Sequence, residues 1–238
     1  MQLSLCMLLF VAAASVDGKK KKTTVKTTTS KPTTTSSSSS GTTCSAAGWS
    51  EADRQGILDN HNTLRSKIAK GVYVAKTDRK PPAKDMETMT YDCNLENSAQ
   101  AWANTCPKGH SGAAGKGENI YWSYSTQTIS ITGQGVAASN SWQNEFQQYG
   151  WPSNYLTYSL FNSGIGHATQ MAWWNSNKIG CGVKQCPSSL SGYKYEVVVV
   201  CQYTPQGNII NTNIYDSGTT CSSCKGGLKC DTNSGLCK

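Results

Sequence analysis

Apolar residues in the first half of the chain recur at helical spacing. Ile57, Leu58, His61, Leu64 and Ile68 share one face of a segment that opens at Ser50-Glu51-Ala52-Asp53, where Ser50 and Asp53 are placed as a capping box. Leu95, Ala99, Trp102, Ala103 and Cys106 predict a second helix. Val136, Trp142, Phe146 and Tyr149 predict a third, less regular one. The period then changes: Ile179 to Val183 and the β-branched run Val197-Val198-Val199-Val200 read as strands. A strand apolar at every position is expected to be covered on both faces. The pattern therefore favours a sheet sandwiched between helices.

Ahead of these elements lies an apolar run, Leu3 to Ala14, followed by small residues to about Gly18. It is too short to span a bilayer and reads as a secretory signal peptide over residues 1–18. No later stretch is apolar enough for a membrane anchor, so a secreted, extracellular protein is expected. Residues 19–43 are almost all Thr, Ser and Lys. That composition buries too little apolar surface to offset the entropy of ordering, so a disordered linker is expected, with O-glycosylation compatible with its Ser/Thr content.

Cysteine usage fits the same compartment. Of 11 cysteines, Cys6 lies in the expected signal peptide, and the ten that remain are an even set suited to five disulfides. Residues 44–214 are long enough for one domain with its own core. The last stretch, 215–238, carries Cys221, Cys224, Cys230 and Cys237 among Gly, Ser and Lys, and reads as a disulfide-stapled, hinge-like extension. A Cys-x-x-Cys pair also suits zinc in a reducing compartment, but the leader argues for disulfides.

Charge changes the picture less than its total suggests. The formal net charge is +8, yet Lys19, Lys20, Lys21, Lys22, Lys26 and Lys31 all precede Cys44. From Cys44 onward, 16 basic residues face 13 acidic ones. A nucleic-acid partner is not indicated.

Several short segments together resemble the signature of one superfamily. They are Gly117-Glu118-Asn119-Ile120, Gly166-His167-Ala168-Thr169-Gln170 and Cys201-Gln202-Tyr203-Thr204-Pro205-Gln206-Gly207-Asn208, with Cys106-Pro107-Lys108-Gly109-His110-Ser111 and Trp142-Gln143-Asn144-Glu145. His61-Asn62-Thr63-Leu64-Arg65, Tyr91-Asp92-Cys93 and Gly180-Cys181-Gly182 add to the match, which runs from about Cys44 to the end. The chain resembles the CAP superfamily (cysteine-rich secretory, antigen 5 and pathogenesis-related 1 proteins), and most of all the nematode venom-allergen-like and activation-associated secreted proteins. The resemblance implies an α+β fold, an α-β-α sandwich with a central cleft. It places His110, Glu118, Glu145 and His167 around that cleft. Ala168 and Ala172 replace larger residues of the family pattern, which implies a roomier cleft floor.

Two histidines and two glutamates suit a divalent metal, Zn2+ above all, because neutral imidazole is a good zinc ligand and carboxylates can ligate or orient a water. A hydrogen-bonded polar cluster, each Glu holding a His in place, is the equally simple alternative. His61, on the apolar stripe of its helix, is expected to be a satisfied core histidine outside the site. A hydrolase needs an activated nucleophile, and although Ser111 follows His110, no Gly-x-Ser-x-Gly elbow occurs. No catalytic residue is assigned. The expected function is that of a non-enzymatic binding effector, and the resemblance implies a host or other extracellular protein receptor and modulation of immune responses. A sterol or fatty-acid carrier, also implied by the resemblance, and a zinc-dependent hydrolase are the alternatives. The aromatic stretches Trp122 to Tyr124 and Trp151 to Tyr158 are candidate recognition surfaces, and a monomer or weak homodimer is expected.

Overall fold

The capping box at Ser50 forms as the spacing predicts: Asp53 N donates to Ser50 Oγ and Ser50 N to Asp53 Oδ2, both at 3.1 Å. It starts α1, Glu51–Ala69, whose Ile57, His61, Leu64, Arg65 and Ile68 are buried. The computed structural model describes residues 44–238, so the expected signal peptide 1–18 and linker 19–43 lie outside the described residues. Two short strands, β1 (Val74–Ala75) and β2 (Asp78–Arg79), pair with each other, and β3 (Thr90–Tyr91) leads into α2, Cys93–Ala103. Asp92 caps α2, accepting from Asn94 N and Leu95 N.

The long strand β4 (Gly117–Ser125) precedes α3, Gln134–Tyr149. Then come β5 (Tyr155–Leu156), the single turn α4 (Tyr158–Leu160), a π-type turn over Phe161–Ile165, and α5, Gly166–Ala172. The strands β6 (Lys178–Pro187) and β7 (Tyr195–Thr204) complete a four-stranded sheet of order β3-β6-β7-β4, parallel only between β3 and β6. β8 (Thr212–Asn213) pairs with β5, and β9 (Cys230–Asp231) with β10 (Leu236–Cys237). Among the described residues, no helix is long and apolar enough to cross a membrane.

The valine run behaves as its composition requires. Val197 and Val199 face the main core with Ile57, Phe146, Met171 and Tyr203, while Val198 and Val200 face a smaller core with Ala99, Ala103 and Ile120. All four valines are fully buried, so the sheet is covered on both faces and the layering is α-β-α. On the α2 side, backbone meets backbone. A Cβ on Gly180 would lie 2.2 Å from Glu96 N, and one on Gly182 2.4 Å from Gln100 N, so β6 carries glycine where α2 rests on it.

Two departures from the helical pattern have local causes. Cys106 lies beyond α2, at φ +52° in a disulfide with Cys186, and Tyr149, in the last turn of α3, is 42% exposed. Two buried cations lock the layers. Arg54 Nε and Nη2 donate to Glu96 Oε2 and Oε1 at 2.7 and 2.9 Å, tying α1 to α2. Arg65 has no carboxylate partner of that kind: its guanidinium donates to the carbonyls of Glu87, Met171, Trp173 and Trp174. Burial pulls it down to about 10.

All ten cysteines among the described residues are paired, as Cys44–Cys93, Cys106–Cys186, Cys181–Cys201, Cys221–Cys230 and Cys224–Cys237. Cys181 and Cys201 stand directly opposite in the β6–β7 register. The C-terminal stretch packs closely on the domain. Cys237 N donates to Met86 O and Thr88 N to Cys237 O, both at 2.8 Å, while Thr220 Oγ1 reaches Ala69 O at 2.7 Å.

Candidate functional site

Three signature segments converge on one buried side chain, Gln170 of α5. Its Oε1 accepts from Gly207 N at 3.1 Å, and its Nε2 donates to Ser176 Oγ at 2.9 Å. A Cβ on Gly117 would sit 2.1 Å from that Oε1, and one on Gly207 would sit 2.7 Å from Nε2. Glycine at both positions lets β4 and the segment after β7 close on α5. This fixes Glu118 on β4 and His167 at the start of α5.

His110 comes from the loop after α2, which several contacts pin. Trp102 Nε1 donates to Gly109 O and Trp122 Nε1 to Pro107 O, each at 3.1 Å, and Lys108 pairs with the buried Glu196. The His110 Nδ1 then lies 3.1 Å from Glu118 Oε1. Glu118 is surrounded by donors: Ser111 N at 2.7 Å on Oε1, and Ser111 Oγ at 2.6 Å and Gln202 Nε2 at 2.9 Å on Oε2. Burial pushes this carboxyl up, but the hydrogen bonds from His110, Ser111 and Gln202 together outweigh it and bring it down to about 2.

The second pair has the same design. His167 Nδ1 lies 2.5 Å from Glu145 Oε1, while Glu145 Oε2 accepts from His167 N and Ala168 N, both at 3.0 Å. The ring stacks on Trp142 with centroids 6.0 Å apart. In both pairs the carboxylate is inside and the imidazole outside: side-chain exposure is 8% for Glu118 and 15% for Glu145, against 60% for His110 and 35% for His167.

The four sequence-predicted residues thus come together as two His–Glu pairs carried by neighbouring segments. They do not form a compact ligand cage. Among the described residues, the trio of His, Cys, Asp or Glu ligand atoms found within 4.8 Å of one another is Cys221, Cys224 and Cys237, all in disulfides. The open cleft of ≈ 390 Å³ is lined by His110, Glu118, Phe161, Gln170 and Asn208, among others, but not by His167 or Glu145.

The donor chemistry nevertheless fits a divalent metal. A carboxylate on Nδ1 fixes that nitrogen as the N–H donor and leaves the Nε2 lone pair outward, the arrangement found behind zinc-ligating histidines. Ser111 Oγ donates to Glu118 Oε2 at 2.6 Å, so its hydroxyl faces a carboxylate held at low pKa rather than an imidazole.

Behind the site runs a chain of hydrogen bonds. His61 Nδ1 faces Ile57 O at 2.8 Å, and its Nε2 faces Tyr203 Oη at 2.9 Å. Asn119 Nδ2 donates to Tyr203 Oη at 3.2 Å and to His167 O at 3.1 Å. His61 is therefore a satisfied core residue, as expected, and burial pulls it down to about 4.

Two expectations about the surroundings are corrected. Ala168 and Ala172 lie fully buried in the main core on the inner face of α5, so their small size does not widen the cleft. Trp151 is not a recognition residue: it is buried, stacked on Phe146 at 4.2 Å between centroids. Of that stretch, Tyr155 and Tyr158 are exposed. Gln202, Ser111 and Asn119 hold the two pairs by hydrogen bonds that the sequence reading left unassigned, although Gln202 faces Glu118 directly in the β4–β7 register.

A disulfide-stapled α-β-α sandwich carrying two histidines on half-buried carboxylates defines the class. The chain belongs to the CAP, or cysteine-rich secretory protein, family, whose profile matches residues 58–203. It is 38% identical to Ancylostoma secreted protein of Ancylostoma caninum over 81% of its own length, and spans 46% of that relative. It is 32% identical to Venom allergen 5 of Vespula maculifrons, covering 71% of this chain and 74% of that one. The crystal structure of NaASP2 with Zn2+ superposes with a TM-score of 0.72 at 37% identity, covering 82% of this chain and all of that one.

Proposed function

We propose that this chain is a secreted, non-enzymatic CAP effector that holds a divalent cation at His110 and His167 and acts by binding an extracellular, host-type protein receptor, modulating immune responses. In this reading residues 1–18 are removed on secretion, 19–43 form a stalk, 44–214 the binding domain and 215–238 its stapled extension. The observation that carries the metal assignment is the shared geometry of the two pairs: each imidazole meets its carboxylate through Nδ1, which leaves Nε2 available. Zinc in the NaASP2 structure supports the choice of ion. Bound there, the cation would supply a positive centre at the outward faces of the two histidines.

Non-enzymatic action is favoured by the state of the carboxylates. A general base works best when its pKa lies near the working pH. Glu118 is held far below that by its donors, and both oxygens of Glu145 are engaged. The exposed Tyr155 and Tyr158 favour a protein partner, tyrosine being enriched in protein interfaces. Calorimetry with ZnCl2 on wild type and on the His110→Ala/His167→Ala double variant tests the metal site. Saturable binding that disappears in the variant is expected; equal affinity in the two proteins refutes it.

A further inference from the structure

The two bridges of the C-terminal stretch lie against each other. Cys221 Sγ, bonded to Cys230, is within 4.8 Å of both Cys224 Sγ and Cys237 Sγ, which are bonded to each other. The backbone already prepares a different pairing, because Cys230 and Cys237 stand directly opposite in the β9–β10 register. The two cysteines that this pairing leaves over, Cys221 and Cys224, form a Cys-x-x-Cys, the spacing that disulfide oxidoreductases close into a bridge.

The four sulfurs differ in access. Cys230 is exposed and follows the exposed Lys229, Cys221 and Cys224 are half-buried, and Cys237 is 1% exposed. A lysine beside an accessible sulfur favours the approach of a thiolate there. Cys221 has left-handed backbone at φ +61°, where glycine is favoured, so one end of the accessible bridge is held in a costly conformation. Between the pairs, a Cβ on Gly226 or Gly227 would meet nothing within 4 Å, so packing does not hold the connector at these positions. Both bridges run from residues 221–224 to the 230–237 hairpin, whereas the other pairing would close each piece on itself. Each piece also has its own anchorage in the domain: Ser223 N donates to Lys84 O at 2.9 Å, and Cys237 N to Met86 O at 2.8 Å.

We propose that Cys230 is the entry point of a thiol-exchange site, at which a small-molecule thiol converts the Cys221–Cys230 and Cys224–Cys237 bridges into Cys221–Cys224 and Cys230–Cys237. The incoming thiolate attacks Cys230 Sγ, forming a mixed disulfide and leaving the electron pair of the broken bond on Cys221. The Cys221 thiolate attacks Cys224 Sγ, which closes the Cys-x-x-Cys and releases Cys237 as a thiolate. Cys237 then attacks Cys230 Sγ across the ladder and expels the thiol. Two protein disulfides are present before and after, so the thiol is returned unchanged and no electrons are gained or lost. The exchange uncouples the hairpin from residues 221–224 and leaves the backbone contacts of both pieces in place. The site is separate from the His–Glu pairs and does not depend on them.

Glutathione, as a mixture of its reduced and oxidised forms, is the probe, incubated with the full chain before acid quenching, alkylation and non-reducing tryptic mapping by mass. Trypsin cuts after Lys225 and Lys229, between the two pairs. In the starting pairing, residues 230–238 stay linked to the peptide that carries Cys221 and Cys224. After exchange they are released as a free peptide whose two cysteines resist alkylation, being bonded to each other, and release in that form is the expected result. A peptide that stays linked overturns the proposal, and so does one released with both cysteines alkylated, which is plain reduction. Cys221→Ser gives an independent readout without added thiol. It leaves Cys230 unpaired, and Cys230 should take Cys237 from Cys224, so that the alkylation label shifts from the exposed Cys230 to Cys224. Label confined to Cys230 overturns the proposal as well.

Discussion

Gln202 and Glu118 face each other across the β4–β7 ladder, and Gln202 Nε2 donates to Glu118 Oε2 at 2.9 Å. The amide is 1% exposed, so water does not replace it easily. Gln202→Leu keeps the volume and removes the donor. It should cost ~1–3 kcal/mol near neutral pH, the penalty for an under-satisfied buried carboxylate. Glu118 has a lowered folded pKa, so its contribution is present above the ordinary carboxylate value of 4.5 and lost as pH falls toward about 2. The gap between wild type and variant should therefore narrow over that window. Urea denaturation across the acid range measures it, and a gap independent of pH would mean that the amide does not act through Glu118.

His61 gives a second pH dependence at a higher range. Its folded pKa is about 4 against an ordinary imidazole value of 6.5, because burial disfavours the charged ring. Between those values the unfolded chain binds the extra proton. Stability is therefore full above 6.5 and declines as pH falls through about 4, by up to roughly 3 kcal/mol. His61→Gln, less stable overall, should show a flatter slope there. An unchanged slope would assign the dependence to other groups.

Arg65 reaches four carbonyls from two separate segments, at Glu87 and over residues 171–174, with one guanidinium. Arg65→Met removes the guanidinium donor from all four, although Trp173 O and Trp174 O keep the backbone donors Ser176 N and Glu87 N. A loss of ~3–5 kcal/mol is expected, comparable to breaking a buried charged contact. Lysine should not rescue it, since one ammonium lacks the planar fork that spans these carbonyls. Thermal denaturation of both variants decides the matter; near-native stability of Arg65→Lys would contradict it.

The elements whose faces repeat were legible in the sequence. Ser50 and Asp53 announce α1, and Val197 to Val200 announce a doubly covered strand, because burial on one or two faces leaves a periodic trace. What joins distant segments was not. Arg54 and Glu96 lie 42 positions apart, and no local period marks either as a buried partner. In the site, residue identities came from the signature segments, whereas the pairing did not. That Ser111 and Gln202 both serve Glu118 follows from a tight loop and from strand register, and register depends on the whole sheet. Ala168 and Ala172 misled for a related reason: a motif beside a cleft still turns most of its helix toward the interior, and five of the seven α5 residues are buried.

The His–Glu pairs also allow the functional classes to be separated. If Glu145 orients His167 for a metal, Glu145→Gln should weaken zinc binding by roughly 10–100-fold while the ion still binds, the usual effect of losing an outer-shell carboxylate. His167→Ala should weaken it further, because a ligand itself is lost. Lower pH should weaken wild-type binding as well, since a protonated imidazole cannot ligate. Partner binding should respond to different residues. Tyr155→Ala and Tyr158→Ala change exposed rings that are not members of the two His–Glu pairs, so they should reduce receptor binding and leave zinc affinity unchanged. A zinc-dependent hydrolase would reverse this pattern, with turnover of a peptide or ester lost in Glu118→Gln and Glu145→Gln and retained in the tyrosine variants. Calorimetry for zinc, a peptide and ester turnover assay, and receptor capture on the same panel compare the two outcomes directly. Metal-dependent turnover by the wild type that vanishes in both Glu variants would overturn the non-enzymatic assignment.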